Sequence, residues 1–332
     1  MRGATLVVAV VVVLAGCTGG LGEEVDAEPA PDLEGDLEIH HIDVGQADST
    51  LIVTPSGETM LIDTGDWRQD GEEVIEYLED RGIERIDHLV ATHAHADHIG
   101  GHAAVIEHFE TEGEGVGAAY DSGVAHTSQT YDRYLDAVEA HEVTLFEVRE
   151  GDEIPFEGVD ATVLNPPEDG DDSRQDDFHY NSVTLSLEFG AFATLTTGDA
   201  ESDAEQRMVD DWDEDLAADV YQAGHHGSST SSTPPFLDEV DPAIAVISSA
   251  HDSQYGHPHD EVLEAFADRG VETYWTGVHG DVVVTTDGEA VAVETAEEGP
   301  TDAAALLEEK PEDIDDPALV RPPIDVAVAP TG

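Results

Sequence analysis

His93, His95, Asp97 and His98 fall within six consecutive positions of the run Thr92-His93-Ala94-His95-Ala96-Asp97-His98-Ile99-Gly100-Gly101. Imidazole nitrogen and carboxylate oxygen are the ligands zinc takes at roughly 2.0–2.2 Å. In an extended segment residues two apart project to the same side, so His93 and His95 can share one metal. Asp97 and His98 follow after a turn and can reach a second metal nearby. A lone histidine is more often structural or solvated. Four ligand-type side chains spaced by alanines and closed by Gly100-Gly101 are hard to explain as packing. Two metals so held would lower the pKa of a water between them, and the hydroxide bridging them would be the nucleophile. That chemistry suits phosphodiesters, thioesters and lactams alike. No thiolate ligand is at hand, so zinc is expected and manganese stays open.

The loop resembles the His-x-His-x-Asp-His signature of the metallo-β-lactamase superfamily. Five further segments are similar to the hydrolase domain of the bacterial DNA-uptake protein ComEC and its stand-alone relatives. They are His41-Ile42-Asp43-Val44-Gly45-Gln46-Ala47-Asp48-Ser49, Leu61-Ile62-Asp63-Thr64-Gly65, Thr197-Gly198-Asp199, Gly224-His225-His226-Gly227-Ser228 and Tyr255-Gly256-His257-Pro258-His259. The likeness runs from about residue 37 to 285, and Ala47 stands where glycine is usual. It implies that His93 and His95 bind the first metal, Asp97 and His98 the second, and that Asp199 bridges both. His225, rather than His226, is expected to complete the second site. Asp63 is expected behind the ligands, accepting a hydrogen bond from one of the histidines. Many members of the superfamily supply another histidine to the first metal just before the strand that precedes the bridging aspartate. The candidate here is His179, although Asn181-Ser182 fits the asparagine pattern of the uptake proteins. Asp97 and His257 are the expected catalytic side chains, His257 by protonating a leaving oxygen or binding a phosphate, with Ser228 and Ser248 as further phosphate contacts.

Strand and helix patterns surround these motifs. Strands are read before residue 44, at 49–54, 59–63 and 86–91, with a helix at 71–81 ended by Gly82. The histidine loop leads into a helix at 98–109. Strand 116–120, helix 129–140 and strands 143–147 and 159–164 follow. Residues 182–189 and 192–197 form a hairpin around Gly190. Helices at 200–210 and 260–269 alternate with strands near 218–222, 243–248, 272–275, 280–285 and 290–294. The predicted fold is α/β, the αβ/βα sandwich of two mixed sheets faced by helices that the family resemblance implies.

The 332 residues carry 11 basic and 77 acidic side chains, for a net charge of −66. Acids spread through well-patterned segments suggest a protein working in molar salt, where self-repulsion is screened to a few ångströms. We read it as a halophile's protein, of archaeal type. The N-terminus reads Met1-Arg2, an apolar run from Ala4 to Leu14, then Leu14-Ala15-Gly16-Cys17. That run is too short to span a bilayer core of about 30 Å, and the order is that of an export signal. Leu-Ala-Gly-Cys resembles a lipoprotein lipobox, which implies a lipidated Cys17 at the mature N-terminus. The expected organisation is a signal peptide at 1–16, a flexible acidic tether at 17–36, the hydrolase domain at 37–296 and an acidic, disordered tail at 297–332, with a short helical candidate at 303–309. The expected function is an exported, membrane-anchored phosphodiesterase or nuclease with DNA as a possible substrate. The charge argues for a small phosphoester or thioester as much as for a polymer, because phosphate-contact affinity falls steeply with salt. A lipid-anchored binding protein without turnover is the non-enzymatic alternative.

Overall fold

Alternating burial along the strands places two sheets face to face. The computed structural model describes residues 10–12, 35–168 and 173–311. Cys17 and the last residues of the acidic tail lie outside the described residues. In spatial order the first sheet is β1 (Val10–Val12), β16 (Val291–Thr295), β15 (Val282–Thr286), β2 (Leu37–His41), β3 (Thr50–Val53), β4 (Thr59–Ile62), β5 (Ile86–Val90), β6 (Val116–Asp121) and β7 (Thr144–Glu147). The second is β14 (Glu272–Trp275), β13 (Ile244–Ile247), β12 (Val220–Gln222), β11 (Phe192–Thr196), β10 (Thr184–Phe189), β9 (Val159–Asn165) and β8 (Glu153–Phe156). β4 to β7 run parallel, as do β11 to β14, and the remaining pairs are antiparallel.

Successive side chains on a strand point to opposite faces. Met60 and Ile62 of β4, with Ile244 and Val246 of β13, therefore enter the core between the sheets. Leu61 turns outward onto α1 (Glu72–Asp80), α2 (His102–Thr111) and α3 (Gln129–Ala140). Ala245 and Ile247 turn outward onto α4 (Ser202–Trp212), α5 (Pro234–Val240) and α6 (Asp260–Arg269). The short α7 (Thr276–His279) follows β14. This is the four-layer α/β sandwich expected from the sequence.

Three local differences have physical reasons. The helix expected from residue 98 begins at His102, because His98 to Gly101 form a turn closed by Thr64, whose hydroxyl accepts the Gly101 N–H at 3.1 Å. β8 was hidden among acids, since only Ile154 and Phe156 of its four residues are buried. Residues beyond 296 are packed as far as the structure describes them. In α8 (Ala303–Glu309) Asp302 caps the helix through the N–H groups of Ala304 and Ala305, and Ala303 and Leu306 are buried in the core outside the second sheet. The ordered domain thus passes its predicted end at 296, and the disorder expected from 297 does not hold for residues 297–311.

Glu205 of α4 is buried and accepts the backbone N–H groups of Ser232 (2.5 Å) and Thr233 (2.9 Å) at the start of α5. Burial pushes its carboxyl from 4.5 up to about 7, against the lowering effect of those hydrogen bonds. The folded state then holds a proton that the unfolded chain has released, so stability falls as pH rises from 4.5 to about 7 and is flat above. Urea titrations at a series of pH values should show that decline in the wild type. Glu205→Gln should lose it, and an unchanged pH slope in the variant would refute this assignment.

Candidate metal centre

Most of the chemical motifs leave the C-terminal ends of parallel strands, while Asp48 follows the antiparallel β2 and His179 precedes β10. Asp63 follows β4, His93 to His98 follow β5, Asp199 follows β11, His225 and His226 follow β12, and Ser248 follows β13. Because both sheets present these ends to one edge of the sandwich, loops from the two halves converge there. The histidine loop lies against backbone. A Cβ on Gly100 would stand 2.2 Å from the Trp67 nitrogen, and one on Gly101 would stand 2.5 Å from the Gly71 Cα. Neither position has room for a side chain, which is the reason for the Gly-Gly pair.

Two ligand groups share Asp199. His93, His95, His179 and Asp199 form one, and Asp48, His98, Asp199 and His226 the other, with the ligand atoms of each group within 4.8 Å of one another. His93 Nε2 is 2.9 Å from His95 Nδ1 and 3.5 Å from Asp199 Oδ2. On the other side His98 Nε2 is 3.1 Å, and His226 Nε2 3.8 Å, from Asp199 Oδ1. Asp97 Oδ2 lies 3.5 Å from His226 Nε2, at the open edge of the second group. Behind the centre Asp63 accepts the Thr92 N–H at 2.9 Å and the Thr92 hydroxyl at 2.6 Å. It also faces His98 Nδ1 at 2.7 Å. That bond fixes the His98 proton on Nδ1 and leaves Nε2 for the centre.

The electrostatics fit a cation. Burial by itself would lower His98, yet Asp199 and Asp63 hold it well above the usual histidine value. Burial opposes positive charge on His226 too, but Asp199 and Asp48 push it up to about 9. For Asp97 burial works the other way, and His226 and His98 still keep its carboxyl far below the carboxylate range. A field that favours positive charge at this point equally favours a divalent ion. The geometry agrees. Among the described residues His98 Nε2, Asp199 Oδ1 and His226 Nε2 are buried without a hydrogen-bond partner, although all three converge on one spot. Buried polar atoms left unpaired are costly, and a shared ion satisfies all three at once.

The structure brings His93, His95, His98, Asp199 and His179 together, with Asp63 behind them. It separates the two adjacent histidines differently from expectation. His226, not His225, sits in the second group, its Nδ1 hydrogen-bonded to the Ser248 carbonyl at 3.0 Å. His225 instead turns to the first group, with Nε2 3.5 Å from Asp199 Oδ2. The split arises because both residues adopt left-handed backbone, φ 52° and 57°, which throws the side chains apart. Ser248 and Ser228 are buried, the former donating its hydroxyl to the Ala47 carbonyl at 2.8 Å and the latter paired with the Thr230 hydroxyl at 3.0 Å. His257 lies at the centre, its ring stacked 6.2 Å from that of His226. Asp48 went unassigned in the sequence, although it sits in the opening motif. It is buried, accepts from Gln222 at 2.9 Å and lies 3.6 Å from His226 Nδ1.

The metallo-beta-lactamase superfamily model matches residues 42–251. The chain belongs to that superfamily. Among curated relatives it is 29% identical to ComE operon protein 3 of Bacillus subtilis, over 76% of this chain and 33% of that protein. It is also 29% identical to competence protein ComA of Neisseria gonorrhoeae, over 72% of this chain and 30% of the relative. The chain thus spans about a third of the length of the curated relatives it matches. The metallo-beta-lactamase fold protein YhfI of Bacillus subtilis shares the fold, with a TM-score of 0.50 at 11% identity over 76% of this chain and 100% of that one. With its histidine–aspartate groups, this superfamily member is a metal-dependent hydrolase.

Asp63→Asn keeps the shape of the side chain but removes the charge that orients His98. Metal affinity measured by chelator competition should fall about 10- to 100-fold. Undiminished affinity would show that the Asp63–His98 contact does not act on the centre.

Proposed function

We propose that this hydrolase cleaves phosphodiesters, with DNA as the leading substrate, outside the cell and tethered to the membrane through a lipidated Cys17. The observation that carries the reading is the pair of ligand groups joined by Asp199, in a chain similar to two competence-related proteins. His93, His95, His179 and Asp199 would hold one ion, and Asp48, His98, Asp199 and His226 the other, with Asp97 at its open edge. Zinc or manganese bound there would polarise the phosphodiester and acidify a water between the two ions. Asp199 holds its charge between both groups, and Asp63 keeps His98 aimed. Neither side chain needs to move during turnover.

His257 acts by hydrogen bonding rather than by proton transfer. Burial, with the nearby His226, lowers it to about 3, which favours the neutral ring. Its Nδ1 faces the Gln46 side-chain nitrogen at 3.3 Å, and that N–H donates to it. The ring proton then sits on Nε2, ready to bond a phosphate oxygen. Loss of one such donor reduces turnover by about 10²–10³. His257→Ala should therefore slow a p-nitrophenyl phosphodiester and a DNA phosphodiester to the same degree. A loss confined to DNA, whose alkoxide is the poorer leaving group, would make His257 a proton donor instead.

The charge of −66 suits a small phosphoester or thioester as much as a polymer and is the one observation for a second reading. Bis-p-nitrophenyl phosphate, single-stranded DNA and a thioester, offered in high salt with zinc or manganese, separate the cases. We expect cleavage of both phosphodiesters and none of the thioester. Intact DNA beside a hydrolysed small diester would reject the nuclease. Anchoring has its own test, because Cys17→Ser should move the protein from the membrane fraction to the medium.

A further inference from the structure

Glu201 stands two residues after Asp199, at the N-cap of α4, with extended backbone (φ −101°, ψ 178°). A side chain there ordinarily accepts one of the free N–H groups of the first helical turn. Glu201 makes no such bond. The Ser202 N–H goes instead to the Thr230 carbonyl at 2.9 Å. The Glu201 carboxylate is turned the other way, toward the centre. Its Oε1 lies 3.3 Å from Nδ1 of His179 and 3.4 Å from Nδ1 of His225. All three side chains are partly exposed. The two imidazole rings stand 4.7 Å apart.

We propose that Glu201 is a positioning residue for the metal of the His93–His95 group, one carboxylate oxygen facing Nδ1 of both His179 and His225 and favouring a proton there. The inference rests on the two-ion centre proposed above. A proton held on Nδ1 leaves Nε2 as the lone-pair nitrogen. For His225 that nitrogen points to Asp199 Oδ2, 3.5 Å away, the same oxygen that His93 faces at the same distance. The other neighbour of His225 Nδ1 is the Thr230 hydroxyl at 3.3 Å, which can accept from that tautomer as well. His179 offers its ligand atom to the His93–His95 group, its ring 5.1 Å from that of His95. One acid therefore faces two imidazoles, His179 in the His93–His95 group and His225 beside the Asp199 oxygen that His93 also faces. It also explains how His225 can serve the centre without joining the second group. The same three side chains could themselves enclose a cation, since their ligand atoms lie within 4.8 Å of one another. That arrangement would require His179 to bind a metal through each ring nitrogen and give up both ring protons, and the clamp avoids this.

The test is metal counting on the full chain in high salt, with cobalt or zinc and no substrate. Wild type should hold two ions after passage over a chelating resin. Glu201→Ala should lose one of them, or bind it about 10- to 100-fold more weakly, and the other should be unaffected. In the cobalt-loaded protein only part of the d–d absorption should disappear. Glu201→Gln retains an accepting oxygen and should restore most of the lost ion. The circular dichroism and melting point of the metal-free variants should match wild type, which separates positioning from misfolding. Two ions held by Glu201→Ala at wild-type affinity would overturn the inference. Three ions in wild type and two in the variant would overturn it in favour of a third cation site. A wild type that binds no metal would instead bring down the two-ion centre itself, and the substrate assays have no bearing on this result.

Discussion

Asp199 is a carboxylate with almost no contact with water, placed where the ends of two sheets meet. A buried charge is tolerated only when paired and hydrogen-bonded. Its partners come from both halves of the molecule: His93 and His98 from the loop after β5, and His225 and His226 from the loop after β12. The requirement to compensate this one charge ties the halves together. It dictates that β5 and β11 end at the same edge, that Gly100 and Gly101 let the histidine loop lie against backbone, and that Asp63 stand behind His98. The apolar core between the sheets makes that alignment possible, and the acid at its edge makes it useful.

The parts legible in the sequence were those with a short-range pattern. The His93–His98 spacing, the strand alternation and the Thr197-Gly198-Asp199 turn all express local geometry; the structure gathers His93, His95, His98 and Asp199 and leaves Asp97, expected as a ligand, at the open edge. Asp63 was legible for the same reason, being part of a turn whose left-handed φ of 58° suits Asp-Thr-Gly. Choosing between His225 and His226 was a different kind of problem. It depends on two consecutive left-handed residues, a conformation that costs about 1–2 kcal/mol per non-glycine residue and that no local pattern announces. Asp48 and Glu201 escaped because isolated acids carry no signal in a chain with 77 of them. The order of residues 297–311 was missed for a related reason. Their acidic composition concealed two small apolar contacts, Ala303 and Leu306, that are enough to seat a helix.

The acidity has a structural counterpart in how the few cations are used. Arg68, Arg85, Arg133, Arg174 and Arg207 are each paired with a neighbouring acid rather than gathered into a basic face. Exposed pairs of this kind add little stability one by one. They do mean that these five arginines have little charge left over to attract a polyanion. Any hold on a phosphate is concentrated at the buried centre, where the field of Asp48, Asp63 and Asp199 already favours positive charge.

The paired left-handed histidines also bear on how substitutions there are to be interpreted. His225 and His226 share one turn of backbone but serve opposite sides of Asp199. Replacing either removes a ring that holds the turn in its costly conformation, and the backbone is then free to relax and take the neighbouring ring with it. The loop behaves as a single yoke across the centre. Single-residue knockouts at these positions would therefore understate how separate the two binding sites are, and only changes outside the turn can disconnect one from the other.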